Sequence, residues 1–209
     1  EFKHPNITIH QLLSHTSGIP TFDIEENNYH SEWFKNEIST LDFITKFCSE
    51  DLDFKTGTQM NYSNSNYLIL SAIIEQITSK NYYQVLEENI LVPLKLNATY
   101  TPVSLPDSNL TKGYVLDNNW VNEPIWKKSN LKGVGGLHCN ASDLLAWMNA
   151  QNQNNILTLE NYELMKANHA YYEFYDADFG YSWAKNKTTF KTKDSIYFYG
   201  GTSLGFYSI

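Results

Sequence analysis

One stretch, Phe54 to Ile77, constrains the fold of this chain more than any other. It opens with Thr56-Gly57-Thr58, whose residue types accept the tight backbone geometry of a turn. Apolar residues then recur at helical spacing in two adjacent files, Tyr67, Leu70, Ile74 and Ile77 in one and Ile69 and Ile73 in the other. This spacing predicts an amphipathic helix that packs into a core, with the preceding loop at the N-terminus of the helix.

Two polar residues, Tyr62 and Asn64, lie between that turn and that helix. One interpretation is a catalytic loop, since a tyrosine passes a proton when its pKa is lowered, and an asparagine both donates to and accepts from a substrate amide. The alternative is a structural helix entry in which Ser63 or Ser65 caps the first turn. The residues of this stretch alone favour the structural interpretation.

The composition narrows the classes of partner. The chain has 209 residues, enough for one domain or most of one, and its net charge of −8 argues against nucleic acid and anionic membranes. All 15 basic residues are lysines, which excludes bidentate recognition by arginine within these residues. No apolar run is long enough to cross a membrane. The chain does not begin with Met, and its last segment, Gly205 to Ile209, reads as a strand that stops abruptly, so we expect a piece of a longer chain.

The cysteines and histidines give weaker signals. Cys48 falls in an amphipathic run and is expected to be buried, while Cys139 precedes a helix start; a disulfide between them stays open as an alternative. The six histidines lack metal-ligand spacing, since His10 and His15 are five residues apart and off one helix face. The sequence therefore predicts no metal site and no cofactor.

The order of elements predicts an α+β fold. Thr8 and Gln11 form a capping box for a helix that continues to His15 and stops at Gly18. Further helices are predicted at Leu41 to Cys48, at the Tyr67 run, at Asn81 to Ile90 before Pro93, at Leu144 to Asn149 capped near Asn140, and at Thr158 to Ala167. Short aromatic and β-branched segments follow, Gly180 to Ala184, Thr188 to Thr192 and Ser195 to Tyr199, and predict antiparallel strands. We therefore expect one partial domain over 1–209, with 1–177 mostly helical and 178–209 antiparallel strands.

The end of the first helix carries His15, Thr16 and Ser17. A catalytic Ser/His pair is one interpretation, but residues this close in sequence rarely make a productive nucleophile and base. The favoured interpretation is a polar helix terminus whose groups satisfy the local backbone.

Five motifs in order resemble the serine β-lactamase-like family, which includes class C β-lactamases, penicillin-binding D-alanyl-D-alanine peptidases and related esterases. Nearly the whole chain is covered. The motifs are the segment Ile7 to Ile19, Tyr62-Ser63-Asn64 as the family's Tyr-x-Asn, Asn89 to Asn97 with its Pro-Leu turn, Gly135-Gly136-Leu137 with Asp143-Leu144, and Tyr199-Gly200-Gly201 with Gly205-Phe206. The resemblance implies a β-lactamase/transpeptidase-like fold, here a helical subdomain plus part of an antiparallel sheet.

The chain departs from the family pattern at two points. The family nucleophile lies in a Ser-x-x-Lys motif upstream of the Ile7 segment, where this chain has only six residues. Ser129 to Lys132 and Ser182 to Lys185 fit the letters, but their order along the chain is wrong, so we interpret both as chance matches. In addition, Tyr199 stands where the family has His or Lys.

The resemblance assigns roles to individual residues. Tyr62 would be catalytic, shuttling the serine proton. Asn64, Tyr199, Gly201 and Thr202 would bind substrate, with the Thr202 amide in the oxyanion hole. The resemblance implies a serine hydrolase, namely a peptidase, carboxypeptidase, esterase or β-lactamase, that acts through an acyl-enzyme on a small-molecule or peptide substrate. It also implies a periplasmic or extracellular location, although no targeting segment is visible in the sequence. The alternative is a non-catalytic relative that binds cell-wall peptide or a protein partner.

Overall fold

The computed structural model describes residues 3–22, 35–105, 110–117, 119–122, 127–153, 156–186, 196–203 and 205–209. Its helices are α1 (Ile9–Leu13), α2 (Thr40–Phe47), α3 (Asn64–Thr78), α4 (Tyr82–Leu86), a π-helix (Glu87–Leu91), α5 (Ala141–Asn152) and α6 (Leu159–Lys166), with 3₁₀ turns at Lys128–Asn130 and Glu173–Tyr175. Its strands are β1 (Tyr114–Asp117), β2 (Asn119–Asn122), β3 (Ala170–Tyr172), β4 (Ala177–Phe179), β5 (Ala184–Asn186), β6 (Ile196–Phe198), β7 (Gly201–Ser203) and β8 (Phe206–Ser208). This arrangement confirms the predicted α+β class.

Helix α1 begins where its sequence predicts and ends early. The Thr8 side chain accepts from the Gln11 amide and the Gln11 side chain accepts from the Thr8 amide, so the capping box is confirmed. The helix ends at Leu13, before the predicted stop at Gly18. The reason is His15, which itself adopts a left-handed conformation with φ of 56°, so the chain leaves the helical path before Gly18.

Helix α3 supplies the centre of the main core. The helix buries Leu68 and Ile69 in the core with α1 and α2, and it starts at Asn64, ahead of the apolar run. The predicted apolar face is partly confirmed: Ile69 is buried and Leu70 and Ile73 pack against the core, but Leu68 lies outside the predicted face and Ile77 is exposed. The buried residues of this core are Leu12, Ile19, Phe22, Phe43, Ile44, Cys48, Leu68, Ile69 and Leu131. Because these come from α1 and the segment after it, from α2 and its C-terminal end, from α3 and from the residue after Asn130, the core fixes the loop that leads into α3 relative to α1.

The other predicted helices are confirmed in place. The stretch predicted as Asn81 to Ile90 divides into α4 and the π-helix, in which the Val92 amide bonds the Glu87 carbonyl five residues back at 3.0 Å. Asn140 and Thr158 cap α5 and α6 by accepting backbone amides of the first turn. Among the described residues, no helix combines the length and apolar character needed to cross a bilayer.

Four strands form one antiparallel sheet in the order β3-β4-β5-β6. The prediction for this region was partly wrong: the strands of this sheet begin at Ala170, before the boundary at 178, and 180–184 is mostly a turn. That turn forms because Ser182 has φ of 60° and the Gly180 amide bonds the Trp183 carbonyl at 2.8 Å. Of the other predicted strands, 195–199 contains β6, and 188–192 lies outside the described residues.

Two hairpins complete the described strands. β1 pairs with β2, in the region that the sequence left unassigned, and β7 pairs with β8 after Gly200. Cys48 is buried and Cys139 is exposed, and both are free thiols, so the disulfide alternative is wrong.

Candidate active site

The loop before α3 is held by the segment that leaves α1. The Gly57 amide bonds the Thr16 carbonyl at 2.8 Å, the Asn61 amide bonds the His15 carbonyl at 3.0 Å, and the Thr56 hydroxyl donates to the Ser17 carbonyl at 2.8 Å. These bonds join two segments some forty residues apart in the sequence. They fix the backbone on the N-terminal side of Tyr62, and the core fixes α3 on the other side.

Tyr62 and Tyr199 meet although most of the chain separates them. The Tyr199 hydroxyl donates to the Tyr62 hydroxyl at 2.7 Å, and the two half-buried rings lie 6.4 Å apart. Tyr172 lies parallel to Tyr62 at 6.3 Å. Tyr62 of the loop before α3 and Tyr199 after β6 therefore lie together.

The electrostatics of this pair are those of neutral phenols. Burial raises the pKa of Tyr62, with the hydrogen bond from Tyr199 acting in the opposite direction. Burial also raises the pKa of Tyr199, and the neighbouring Tyr62 adds to that effect. In the described part of the chain, neither hydroxyl bonds a lysine or a carboxylate. The lowered tyrosine pKa that proton transfer requires is therefore not provided by these residues.

Asn64 is the first residue of α3, and its amide donates to the Thr21 hydroxyl at 3.0 Å. Its half-buried side chain takes no hydrogen bond from the described residues. The helix-cap interpretation of this stretch is wrong, because Ser63 makes no side-chain cap bond and Ser65 instead donates to the Pro20 carbonyl at 2.6 Å.

The segment after Tyr199 is close to other tyrosines on one side and open on the other. A Cβ on Gly200 would lie 3.1 Å from the Tyr175 hydroxyl and 3.9 Å from the Tyr207 hydroxyl. Gly201 and Thr202 are exposed, and the nearest atom to a Cβ on Gly201 would be the Ser208 hydroxyl at 3.4 Å. The backbone of Gly201 and Thr202 is therefore accessible to a ligand.

Sequence reasoning missed His15 as a residue of this site. Its ring is 1% exposed, its centroid lies 4.5 Å from that of Tyr62, and its Nδ1 accepts from the Ser63 amide at 3.1 Å. Burial lowers the pKa of His15 to about 3. The favoured prediction, that this helix end satisfies only local backbone, is thus wrong for His15. No rule of sequence spacing connects it to Ser63.

The two Ser-x-x-Lys look-alikes are not assembled as nucleophile and base. Lys132 donates to Thr40 at 2.8 Å and to Glu75 at 2.9 Å. The Ser182 hydroxyl bonds the Tyr67 hydroxyl, and the Lys185 ammonium lies 5.6 Å from the Tyr197 ring centroid. Across the described ranges, no group of three or more His, Cys, Asp or Glu side chains is arranged to hold a metal ion.

A comparison against known families confirms the family resemblance. The family model described as Beta-lactamase matches residues 2–209. The chain belongs to the β-lactamase family. Related sequences include Protein flp of Staphylococcus aureus (strain MW2), 31% identical over 56% of this chain and 23% of that protein. Another is the unguisins hydrolase ungD' of Aspergillus campestris, 27% identical over 72% of this chain and 29% of that protein.

Comparison with solved structures also identifies the β-lactamase fold in this chain. A D-stereospecific amidohydrolase from Streptomyces sp. superposes with a TM-score of 0.76 over 95% of this chain and 62% of its own, at 24% identity. The D-amino acid amidase of Ochrobactrum anthropi SV3, solved with L-phenylalanine amide, gives a TM-score of 0.71 over 95% of this chain and 60% of its own, at 19% identity. These 209 residues thus span less than two thirds of the proteins they match, and at these identities the structures establish the fold alone.

Proposed function

We propose that the protein is a serine hydrolase that acts through an acyl-enzyme on an ester, a small amide or a D-alanyl peptide. The nucleophilic serine and its lysine would come from outside residues 1–209. The observation that carries the proposal is the 2.7 Å hydrogen bond between the Tyr199 and Tyr62 hydroxyls, which unites two motifs of the β-lactamase family. Membership of that family supports hydrolysis as the reaction.

Tyr62 is the proton-transferring residue in this proposal. Its oxygen accepts the Tyr199 proton, so its own proton remains available to a third group. Burial disfavours the phenolate and raises the Tyr62 pKa, and an adjacent ammonium would reverse that effect. The lysine of a Ser-x-x-Lys motif is such a group. It would allow Tyr62 to exchange a proton with the attacking serine.

Asn64, Gly201 and Thr202 are proposed to hold the substrate. The Asn64 side-chain amide, which forms no hydrogen bond with the described residues, would offer its donors and acceptor to a substrate amide. The exposed backbone at Gly201 would lie against the acyl group, and the Thr202 amide would complete an oxyanion hole with the amide of the nucleophile. One such donor in a preorganised site contributes about 3 kcal/mol to transition-state stabilisation.

Tyr199 predicts a preference for neutral substrates. A carboxylate gains about 1.5–3 kcal/mol from a charge-assisted bond but only about 1 kcal/mol from a neutral donor, so affinity for β-lactams and D-alanyl termini should be roughly tenfold lower than with a cation. In the full-length protein, Tyr199→His should raise kcat/KM for a carboxylate-bearing substrate and leave a neutral ester little changed. Equal effects on both substrates would place carboxylate binding elsewhere, for example at Lys185 or Lys191.

The catalytic assignment is tested with a matched pair of variants. Tyr62→Phe in the full-length protein should lower kcat/KM for a p-nitrophenyl ester by about 10²–10⁴, the usual contribution of a positioned proton-transfer group. Tyr162→Phe removes the hydroxyl of a fully buried tyrosine on α6 that forms no hydrogen bond with the described residues and lies outside the motifs that carry the site, and it should leave kcat/KM unchanged. Equal activities of both variants would overturn the role of Tyr62.

The position of the nucleophile has its own test. The 209-residue chain alone should not turn over a chromogenic β-lactam or a p-nitrophenyl ester. Turnover that Ser129→Ala or Ser182→Ala abolishes would identify a nucleophile within the chain. A full-length protein that binds D-alanyl peptide without turnover would instead be the non-catalytic relative. We also propose a location outside the cytoplasm, on the family resemblance, testable by cell fractionation.

A further inference from the structure

His15 occupies a position where an ionisable side chain has no solvent contact. Its ring lies between two tyrosines, 4.5 Å from the Tyr62 centroid and 5.1 Å from that of Tyr67, with Phe179 at 5.8 Å. All three neighbouring rings are uncharged. Of the described groups that contact the imidazole, none is a carboxylate or an ammonium.

The hydrogen bonds fix which ring nitrogen carries the proton. Nδ1 faces two donors, the Ser63 amide at 3.1 Å and the Asn66 side-chain nitrogen at 3.3 Å. The Asn66 orientation is set from its other side, because the Ser17 hydroxyl donates to Asn66 Oδ1 at 2.6 Å. A nitrogen that accepts from a backbone amide has no proton of its own. His15 is therefore neutral, with its proton on Nε2.

We propose that His15 is a positioning residue that sets the Tyr62-Ser63-Asn64 segment, holding Ser63 through Nδ1 and Tyr62 through ring packing. This inference rests on the proposed function, since it concerns how Tyr62 and Asn64 reach their working positions. The His15 carbonyl also accepts the Asn61 amide at 3.0 Å, so one residue binds the segment immediately before Tyr62 and the residue after it. The ring itself touches neither substrate nor the reacting atoms in this scheme.

Two variants separate the acceptor from the rest of the side chain. Asn tolerates the left-handed backbone of position 15, and its side-chain oxygen lies near the place of Nδ1, so His15→Asn keeps an acceptor for Ser63. His15→Leu fills part of the space of the ring with an apolar side chain and removes the hydrogen-bond acceptor. Phe43→Leu is the control for general destabilisation, because Phe43 lies on α2 and is 1% exposed in the helical core.

The first measurement needs no catalytic activity. In ¹⁵N spectra of the protein, the His15 imidazole should show an unprotonated Nδ1 and a protonated Nε2, with no titration between pH 5 and 8. Amide hydrogen exchange at Ser63 should be about tenfold faster in His15→Leu than in His15→Asn, while exchange at Asn61, which bonds the backbone of His15, stays similar in both. A ring that titrates near its ordinary value, or equal Ser63 exchange in the two variants, would overturn the proposal.

The second measurement is kinetic and uses the full-length protein. Under conditions where all variants are folded, His15→Leu should lower kcat by about tenfold or more, because displaced catalytic groups lose rate steeply. His15→Asn should recover most of that loss, and Phe43→Leu should lower only the melting temperature. Loss of rate in proportion to loss of stability across all three variants would show that His15 has only a structural role. If the ¹⁵N spectra are as expected but no variant and no wild-type protein shows turnover, the proposed function is wrong, whereas the positioning of Ser63 by His15 is still supported.

Discussion

At the scale of single residues, His15 links the stability of the protein to pH. Its pKa falls from the ordinary value of 6.5 to about 3 in the folded chain because burial disfavours the charged ring. The unfolded chain therefore binds one more proton than the folded chain between these two values. Stability rises with pH wherever the unfolded state binds more protons. The His15 contribution is complete above about pH 6.5 and is lost as pH falls toward about 3.

We therefore predict a measurable slope in acid. As the pH falls from 6 to 4, protonation of His15 in the unfolded chain should lower the free energy of unfolding by at most about 1.4 kcal/mol per pH unit, or about 3 kcal/mol in total. Urea unfolding at pH 7, 6, 5 and 4 measures the slope, and His15→Asn should be less pH-dependent than the wild type. Parallel pH profiles of the two proteins would mean that folding does not lower the pKa of His15.

The sequence could supply Tyr62 and Tyr199 only through the motifs they resemble. They are far apart along the chain, and neither periodicity nor charge connects one tyrosine with another. His15 could not be found in this way, because its partner is a backbone amide, which every residue except proline possesses. The contact exists only because the core brings the end of α1 beside the start of α3.

At the scale of elements, the link between the α1 exit and the loop before α3 depends on Gly18. Its φ is 85°, a left-handed conformation, and a Cβ there would lie 2.3 Å from the Phe54 carbonyl oxygen. The Asp53 amide bonds the Gly18 carbonyl at 2.9 Å on the same crossing. Only glycine allows the two backbones to approach this closely while both keep their hydrogen bonds.

Gly18→Ala should therefore destabilise the protein by about 2–4 kcal/mol, from left-handed strain together with the backbone clash. Gly135→Ala is the matched control, because a Cβ at Gly135 would meet nothing within 4 Å, and its effect should stay within about 0.5 kcal/mol. Chemical denaturation of both variants gives the comparison. A Gly18→Ala protein as stable as the control would show that the crossing relaxes without cost.

The helices and strands also show which secondary-structure elements could be predicted from the sequence. Long amphipathic helices such as α3, and caps such as Thr8 and Asn140, follow local rules and were predicted within a few residues. The strands of the main sheet are three residues each, too short for an alternating pattern to emerge. β2 is exposed at all four positions, so it has no apolar face to read, and its pairing with β1 was missed.

At the scale of the whole molecule, the helical core and the four-stranded sheet meet at Tyr67. Its hydroxyl donates to the Leu13 carbonyl at 3.0 Å and accepts from the Ser182 hydroxyl in the turn between β4 and β5. Burial raises the Tyr67 pKa to about 12, so the group stays a neutral donor across the physiological range. A single side chain on α3 thus joins the α1 exit to the sheet.

Tyr67→Phe should lower the free energy of unfolding by about 1–3 kcal/mol, because the Leu13 carbonyl and the Ser182 hydroxyl both lose a partner. Thermal unfolding followed by circular dichroism measures the loss. Tyr82→Phe, on a tyrosine of α4 whose pKa burial also raises, serves as the comparison and should cost less. A cost no larger than that of Tyr82→Phe would show that the Tyr67 contacts contribute nothing beyond ring packing.

The position of Tyr67 also determines how the molecule melts. Because α3 contributes both to the helical core and to the contact with the sheet, neither layer can open without breaking packing in the other. Calorimetry of the wild type should record a single endotherm whose van't Hoff enthalpy equals the calorimetric enthalpy. In Tyr67→Phe the ratio of the van't Hoff enthalpy to the calorimetric enthalpy should fall below one. Unfolding would then no longer be two-state, because the sheet begins to detach before the helices lose their packing.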